Sequence, residues 1–231
     1  MNLLLRLLLV PGRFRHRWKN RNRLAVTTSL ITTLKKQCAD AQKHEFKNHA
    51  VAYNAALFVA LVEQDLSAYS SALYFANTKW HQQFAARGMA VLLYETSKDI
   101  PEILGKEYRQ ALRDLGLGDS WLQALNKGVT GFNAFKTEHA SFLNTVRTYV
   151  GAHKEKDALA QLAVLESLDH MEIYRLGAKF SASLNSLVEF QMALLTYLKN
   201  PMVMLKEASK AVDRANPAVQ GTLRDEAALR P

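Results

Sequence analysis

The segment at residues 170–201, HMEIYRLGAKFSASLNSLVEFQMALLTYLKNP, decides the fold class. Large apolar side chains recur along it at Leu176, Phe180, Leu184, Leu187, Leu194, Leu195 and Leu198. Because an α-helix has 3.6 residues per turn, this spacing places them on one side of a helix. Pro201 ends the pattern, since the residue before a proline disfavours the helical conformation. We predict a long core helix over residues 156–198, interrupted near Gly177, with Leu176 and Leu184 buried.

The same helical spacing recurs along most of the chain. It predicts further helices over residues 24–44, 47–76, 79–98, 101–115, 120–127, 132–149 and 202–214. Pro101 suits the first turn of a helix, Asp119 suits an N-cap, and Gly128 with Gly131 is typical of a break. No segment of useful length alternates apolar and polar residues as a strand does. The sequence therefore predicts an all-α protein, an antiparallel bundle of long core helices with short side helices.

The composition agrees with a folded helical protein. The chain has 231 residues, 48% of them hydrophobic and 22% charged, with only 10 Gly and 5 Pro. These values exclude collagen-like and wholly disordered chains, and so few Gly and Pro argue against an all-β fold. Cys38 is the one cysteine, which excludes a disulfide framework and fits a reducing compartment. We therefore expect a cytoplasmic protein, and no apolar run reaches the length of a membrane span.

The positive charge is confined to the start of the chain. The formal net charge is +9, and nine of the 30 Lys and Arg residues precede Asp40, the first acidic residue. The remaining bases balance the 21 acidic residues. The high isoelectric point therefore describes one segment, and it does not by itself indicate a nucleic-acid-binding domain.

The charge distribution and the helical pattern divide the chain into three parts. We predict a basic N-terminal arm at residues 1–23, an all-α bundle domain at 24–200, and a short helix with a solvated tail at 201–231. Three interpretations of the arm remain open: a poorly ordered extension, a contact with an anionic membrane or nucleic-acid surface, and a targeting segment or misassigned start. The surface contact would use Arg13, Arg15, Arg17, Lys19, Arg21 and Arg23.

The sequence lacks the motifs of several common catalytic and binding sites. It contains no Walker-type phosphate loop, no Gly-x-Ser-x-Gly elbow and no Glu-x-x-His or His-x-x-Glu pair. No two histidines stand three or four residues apart, as helical metal ligands do. We therefore expect no metal and no cofactor. Glu166 and His170 are interpreted as a weak pair on a solvated helix face.

Other polar and aromatic residues are interpreted as structural and not as parts of a functional site. His139 lies on an apolar stripe, which predicts a buried histidine with a backbone partner. Glu95 lies near the predicted end of a helix, where a carboxylate is unfavourable, so we expect a basic partner from another helix. Core packing explains the spaced aromatic residues better than base stacking does; these are Tyr53, Tyr69, Tyr74, Trp80 and Tyr94.

The candidate site is the sequence VRTYVGAHKEKD at residues 146–157. Arg147 lies in the last predicted turn of one helix, and His153 follows Gly151 just before the next helix. Arginine binds phosphate oxygens through two N–H groups at once, and histidine exchanges protons near neutral pH. We select Arg147 and His153 as the candidate catalytic residues.

This stretch resembles the motif of the HEPN superfamily (higher eukaryotes and prokaryotes nucleotide-binding domains), an Arg followed after four to six residues by a His. The resemblance covers roughly residues 45–200 and implies an all-α bundle that commonly forms dimers. Many members are metal-independent endoribonucleases of RNA processing, phage defence and toxin–antitoxin systems, whereas others are inactive binding modules. Only Arg147 and His153 carry over. Thr148 stands where the family often has Asn, Asp or His, and Glu95 is a candidate match for an acidic residue that some members carry.

Two functions follow as expectations. The first is a metal-independent endoribonuclease or RNA-associated defence protein that acts as a homodimer, with RNA as its partner. The alternative is a non-catalytic helical interaction or regulatory module, associated with a surface through the basic arm. In the alternative, Arg147 compensates the C-terminus of its own helix and His153 caps the next one. A solvent-accessible His153 in a positively lined cleft favours the enzyme.

Overall fold

A computed structural model describes the backbone of residues 3–150 and 157–215 and most side chains from residue 21 onward. These residues form eight α-helices and no strand, which confirms the all-α prediction. The helices are α1 (Leu3–Lys43), α2 (Lys47–Phe75), α3 (Lys79–Ile103), α4 (Lys106–Asp114), α5 (Asp119–Val150), α6 (Ala158–Ser167), α7 (His170–Leu198) and α8 (Pro201–Ala215).

Four long helices form the core of the bundle. α7 packs against α2, α3 and α5, and α3 also packs against α2 and α5. Helix α5 runs antiparallel to α7, since Gly128 lies opposite Leu187 and the Glu138 carboxylate lies 3.3 Å from the Lys179 ammonium. The other helices cover this core: α1 and α4 pack on α2, α6 packs mainly on α5, and α8 packs on α7.

The apolar stripe of α7 fills the centre of the core, as its spacing predicts. Leu184 and Phe180 have no exposed surface, and Leu176 is also buried. The Phe180 ring makes edge contacts with the rings of Phe132 and Phe135, each at 5.1 Å between centroids. These contacts join α5 to α7.

The prediction of one long helix over residues 156–198, interrupted near Gly177, is wrong, because the chain instead breaks at Leu168 and Asp169. α6 ends at Ser167, and Asp169 caps the new helix by accepting a hydrogen bond from the Met171 N–H at 2.8 Å. Gly177 does not interrupt α7. A Cβ there would lie 2.5 Å from Met89 Cε, so this glycine leaves room for the end of the Met89 side chain of α3.

Two other predicted helix boundaries are also wrong. Gly128 and Gly131 lie inside α5, where they face Leu187 and Ser183 of α7 across a close helix contact. Close packing compensates for the helix propensity that glycine lacks. Pro101 lies in the last turns of α3 instead of starting a helix, and α4 begins only after Gly105. Because proline has no N–H group, Pro101 cannot donate to the carbonyl of Ser97, and α3 ends at Ile103, two residues later.

Two aromatic side chains of α3 are exposed, and for one of them, Trp80, this contradicts the prediction of core packing. Trp80 and Phe84 are each 64% exposed, although Met89 and Leu93 of the same helix are fully buried. At 100° per residue, Phe84 and Trp80 lie about 140° and 180° around the helix from Met89. Helical spacing therefore places them on a side of α3 that the neighbouring core helices do not cover.

The first helix crosses the predicted boundary between the arm and the bundle without a break. α1 extends from Leu3 to Lys43, and the Arg23 side chain forms an ion pair with Glu63 of α2. Glu63 is buried, so this pair ties Arg23 to the bundle. Among the helices that the structure describes, none combines the length and the hydropathy of a membrane span.

Helix α8 is attached to the start of α2 through a buried carboxylate. Glu207 is 1% exposed, and its Oε1 accepts hydrogen bonds from the Asn48 N–H at 3.3 Å and from Asn48 Nδ2 at 3.2 Å. Helix α2 has no side-chain cap of its own, so Glu207 satisfies an N–H group that would otherwise lack a partner. Arg214 of α8 donates to the Glu45 carbonyl at 3.0 Å, on the turn between α1 and α2.

Substituting Glu207→Ala is expected to lower the free energy of unfolding by about 1–3 kcal/mol, because the half-buried Asn48 donors lose their acceptor. Urea denaturation followed by circular dichroism measures this loss. Glu189→Ala, on an exposed position of α7, is the matched control and should change stability by less than about 0.5 kcal/mol. Equal stability of the two variants would contradict a role of Glu207 in holding α8.

Candidate functional site

Arg147 lies in the last turn of α5 and reaches across to α3. Its Nε donates a hydrogen bond to the Glu95 carboxylate, and its Cζ lies 5.4 Å from the centroid of the Tyr94 ring. The Arg147 side chain is 26% exposed. The expectation that Glu95 has a basic partner from another helix is confirmed, and the partner is the candidate catalytic arginine itself. The predicted helix end near Glu95 is wrong, because α3 continues to Ile103.

Charged groups of both signs lie near Arg147, and two cations contact the ring of Tyr94. Lys98 Nζ lies 5.4 Å from the centroid of the Tyr94 ring, so two cations of different helices contact this ring. Burial raises the pKa of Asp99, one turn after Glu95, and the nearby carboxylates of Glu95 and Glu102 raise it further. The positive charge of Arg147 therefore offsets the negative charge of Glu95 at a place where the carboxyl groups of Asp99 and Glu102 are also nearby.

Among the described residues, only the Nε of the Arg147 guanidinium has a hydrogen-bond partner. Glu95 engages Nε, and within residues 3–150 and 157–215 no acceptor is hydrogen-bonded to Nη1 or Nη2. These two nitrogens form a planar pair of donors that matches two oxygens of a phosphate group. Within the described residues, Arg147 is therefore anchored through Nε and keeps two donors that could contact a phosphate group.

His153 lies outside the described residues, which resume at Asp157. The interpretation of His153 as the cap of the next helix is wrong, because Asp157 has that role. One Asp157 carboxylate oxygen accepts from the N–H groups of Leu159 at 2.9 Å and Ala160 at 3.2 Å. Thr148, which follows Arg147, is exposed to solvent.

The other polar residues singled out in the sequence do not join this cluster. His139 packs on the Phe135 ring at 4.8 Å, and its Nε2 lies 3.3 Å from Glu138 Oε1 without the alignment of a hydrogen bond. The expected backbone partner of His139 is not found among the described residues. Glu166 and His170 lie on different helices, because the chain breaks between them.

Sequence reasoning missed Tyr94 and Lys98 as neighbours of Arg147. Their only signal was their position beside Glu95, for which a basic partner was expected.

No group of three His, Cys, Asp or Glu side chains within the described part of the chain is arranged to hold a metal ion. Comparisons with protein-family models, with curated proteins and with solved structures find no match for this chain.

Proposed function

We propose that the protein is an RNA-binding helical bundle that cleaves single-stranded RNA without a metal ion. The observation that carries the proposal is the geometry of Arg147: Glu95 anchors it through Nε, and its Nη1 and Nη2 have no hydrogen-bond partner within residues 3–150 and 157–215. His153 follows six residues later in the chain, so both groups can act on one phosphodiester. The single Cys38 fits action in the reducing cytoplasm.

In this reaction His153 moves protons and Arg147 binds the phosphate. The 2′-oxygen attacks phosphorus and gives up its proton to a base, and the bond from phosphorus to the 5′-oxygen breaks as that oxygen receives a proton from an acid. The products are a 2′,3′-cyclic phosphate and a 5′-hydroxyl. Histidine serves either proton transfer near neutral pH, and the Arg147 guanidinium stabilises the charge that develops on the phosphate oxygens.

The reaction needs one base and one acid, whereas one protomer supplies a single His153. We propose that a homodimer places two copies of the segment at one cleft, so that the two histidines divide the roles. Glu95 and Tyr94 are positioning residues, because they hold the guanidinium in one orientation before RNA arrives.

A second candidate function is a non-catalytic interaction module. Its support is that Arg147 already joins α5 to α3 through Glu95, and that Trp80 and Phe84 expose apolar surface on α3. In this case the ion pair closes the bundle, and contacts with an anionic surface would come from the basic residues of α1, including Arg21.

Incubation of purified protein with assorted single-stranded RNAs in excess EDTA separates the two functions. We expect cleavage that persists in the chelator and leaves 2′,3′-cyclic phosphate and 5′-hydroxyl ends, both identified by mass spectrometry. Cleavage that requires added Mg²⁺ would contradict the proposed chemistry. Binding of RNA without any cleavage, across RNAs of varied sequence, would favour the interaction module.

A further inference from the structure

A groove of about 330 Å³ lies between α1 and α7, and α2 forms its floor. The apolar side chains of its two walls are Val26, Leu30 and Leu34 on α1 and Val188, Met192 and Leu195 on α7. Small side chains on α2, Ala56 and Ala60, leave the space between the walls. Every residue that lines the groove belongs to α1, α2 or α7, so the groove is separate from the Arg147 cluster on α3 and α5.

Two polar side chains of the groove direct their hydrogen bonds away from it. The Thr27 hydroxyl donates to the Arg23 carbonyl within α1 at 3.0 Å. Gln191 Nε2 donates to the Tyr108 hydroxyl of α4, outside the groove, at 3.1 Å. The inner surface of the groove is therefore apolar along most of its length.

Apolar side chains at the rim of the groove are left in contact with water. Val26 on α1 is 69% exposed, and Met192 on α7 is 50% exposed. Exposed apolar surface beside a groove is typical of a ligand site, and the flexible methionine side chain adapts its shape to a bound ligand. An apolar ligand in the groove would cover both side chains.

The shape of the groove limits the kind of apolar ligand. It is lined along α1 from Arg23 to Leu34, and the helix rises about 16 Å between these two residues. The volume lies at the lower end of the roughly 300–1,000 Å³ of small-molecule sites. An elongated space of this size fits a straight alkyl chain better than a fused ring system.

Arg23 stands where the groove meets a second cavity of polar character. This cavity has a volume of about 200 Å³, and its walls carry the hydroxyl-bearing side chains of Ser67, Ser70, Tyr174 and Ser181. Among the described residues, Arg23 is the one that lines both cavities. The surroundings therefore change from apolar to polar at Arg23, as an amphiphile does between its chain and its head group.

The charge at Arg23 favours an anionic head group. The Arg23 side chain is 47% exposed, and its Nη2 forms the ion pair with Glu63 Oε1. A guanidinium has five N–H donors, so Arg23 could contact a second anion while it keeps Glu63. Glu63 is the one carboxylate that lines either cavity among the described residues, and Arg23 offsets its charge. Arg21 adds positive charge to this part of α1, which has no acidic residue before Asp40.

We propose that the two cavities together bind an amphiphile with an alkyl chain and an anionic head group. The chain lies along the apolar groove, and the carboxylate or phosphate of the head contacts Arg23 at the entrance of the hydroxyl-lined cavity. A free fatty acid and an acyl chain of an anionic membrane phospholipid share this chemistry. The site stands whether or not the protein cleaves RNA.

NMR of the methionine methyl groups tests the proposal on the full chain. Protein labelled with ¹³C-methyl methionine is titrated with dodecanoate below its micelle concentration. Butanoate is the probe with the head group and almost no chain, and dodecyltrimethylammonium is the probe with the opposite charge. We expect a saturable shift of the Met192 methyl signal with dodecanoate, none with butanoate, and binding of dodecyltrimethylammonium that is about tenfold weaker or more. The exposed Met202 should not respond.

Vesicles of phosphatidylglycerol identify the source of the chain. The protein is incubated with the vesicles, separated from them by centrifugation and analysed by native mass spectrometry. For a protein that binds dodecanoate, one phospholipid carried by each chain identifies the membrane as the source, and a lipid-free protein identifies a free fatty acid.

Substituting Val26→Glu places a charge on the exposed apolar rim and should weaken dodecanoate binding about tenfold or more. Val212→Glu, at a similarly exposed position of α8, is the matched control and should leave the affinity unchanged. The double substitution Arg23→Gln with Glu63→Gln removes the ion pair without leaving a buried charge. It should abolish the preference for dodecanoate over dodecyltrimethylammonium.

Four results would each overturn the proposal. The Met192 signal stays in place up to the micelle concentration of dodecanoate, butanoate or dodecyltrimethylammonium binds as tightly as dodecanoate, Val26→Glu binds dodecanoate as the wild type does, or the double variant keeps the preference for dodecanoate. The titrations of the wild-type protein decide the matter even if a variant does not fold.

Discussion

Substituting Arg147→Ala or His153→Ala is expected to slow the cleavage of single-stranded RNA in EDTA by about 10²–10⁴-fold, the usual contribution of a proton-transfer or charge-stabilising group. Arg147→Lys should lose most of the activity as well, because an ammonium group cannot make the two parallel contacts of a guanidinium with phosphate. Single-turnover cleavage of an end-labelled RNA measures these rates.

The controls separate catalysis from folding. Arg113→Ala and His81→Ala remove the same two residue types at exposed positions away from the cluster, and both should cleave at the wild-type rate. Arg147→Ala loses a partly exposed ion pair with Glu95, which is worth at most about 1 kcal/mol of stability. A His153→Ala variant that cleaves RNA as fast as wild type would remove this residue from the mechanism.

Substituting Phe180→Ala should lower the free energy of unfolding by about 3–5 kcal/mol, the range observed when a buried phenylalanine is truncated. Phe180 is fully buried and lies between α5 and α7, where its ring contacts Phe132 and Phe135. The truncation leaves a cavity and also removes two edge-to-face ring contacts. Urea denaturation, with an unchanged dependence on urea concentration, measures the loss.

Phe84→Ala is the matched control for Phe180→Ala. The Phe84 side chain is 64% exposed, and its contact within the described part of the chain is with the Arg87 guanidinium, 5.2 Å from the ring centroid. Its truncation should change stability by less than about 0.5 kcal/mol. A large loss for Phe84→Ala together with a small loss for Phe180→Ala would contradict the packing of α3 and α7 described above.

The candidate site was only partly accessible from the sequence. The position of Arg147 in a last helical turn follows from local periodicity. The basic partner of Glu95 was predicted from a helix end at residue 98, but α3 continues to Ile103, so Glu95 lies outside the last turn and the helix dipole is not the reason for the pair. The sequence could not identify Arg147 as that partner, because the two residues are 52 positions apart and meet only when α5 packs on α3. His49 is buried, and its two ring nitrogens have no hydrogen-bond partner among the described residues. The sequence carried no signal for this, because residues of α1, α2, α7 and α8 come together there only in the folded chain.

By itself, the sequence determined the helical class and the buried face of α7, because a stripe that repeats every three or four residues is a local property of the chain. Only the tertiary structure decided whether each glycine continues or ends its helix, and which aromatic residues are buried. Gly128 and Gly177 continue their helices because a second helix packs closely against each of them, and this contact outweighs their poor helix propensity. Phe84 and Phe180 have the same apolar chemistry, but only Phe180 lies on a side of its helix that neighbouring helices cover.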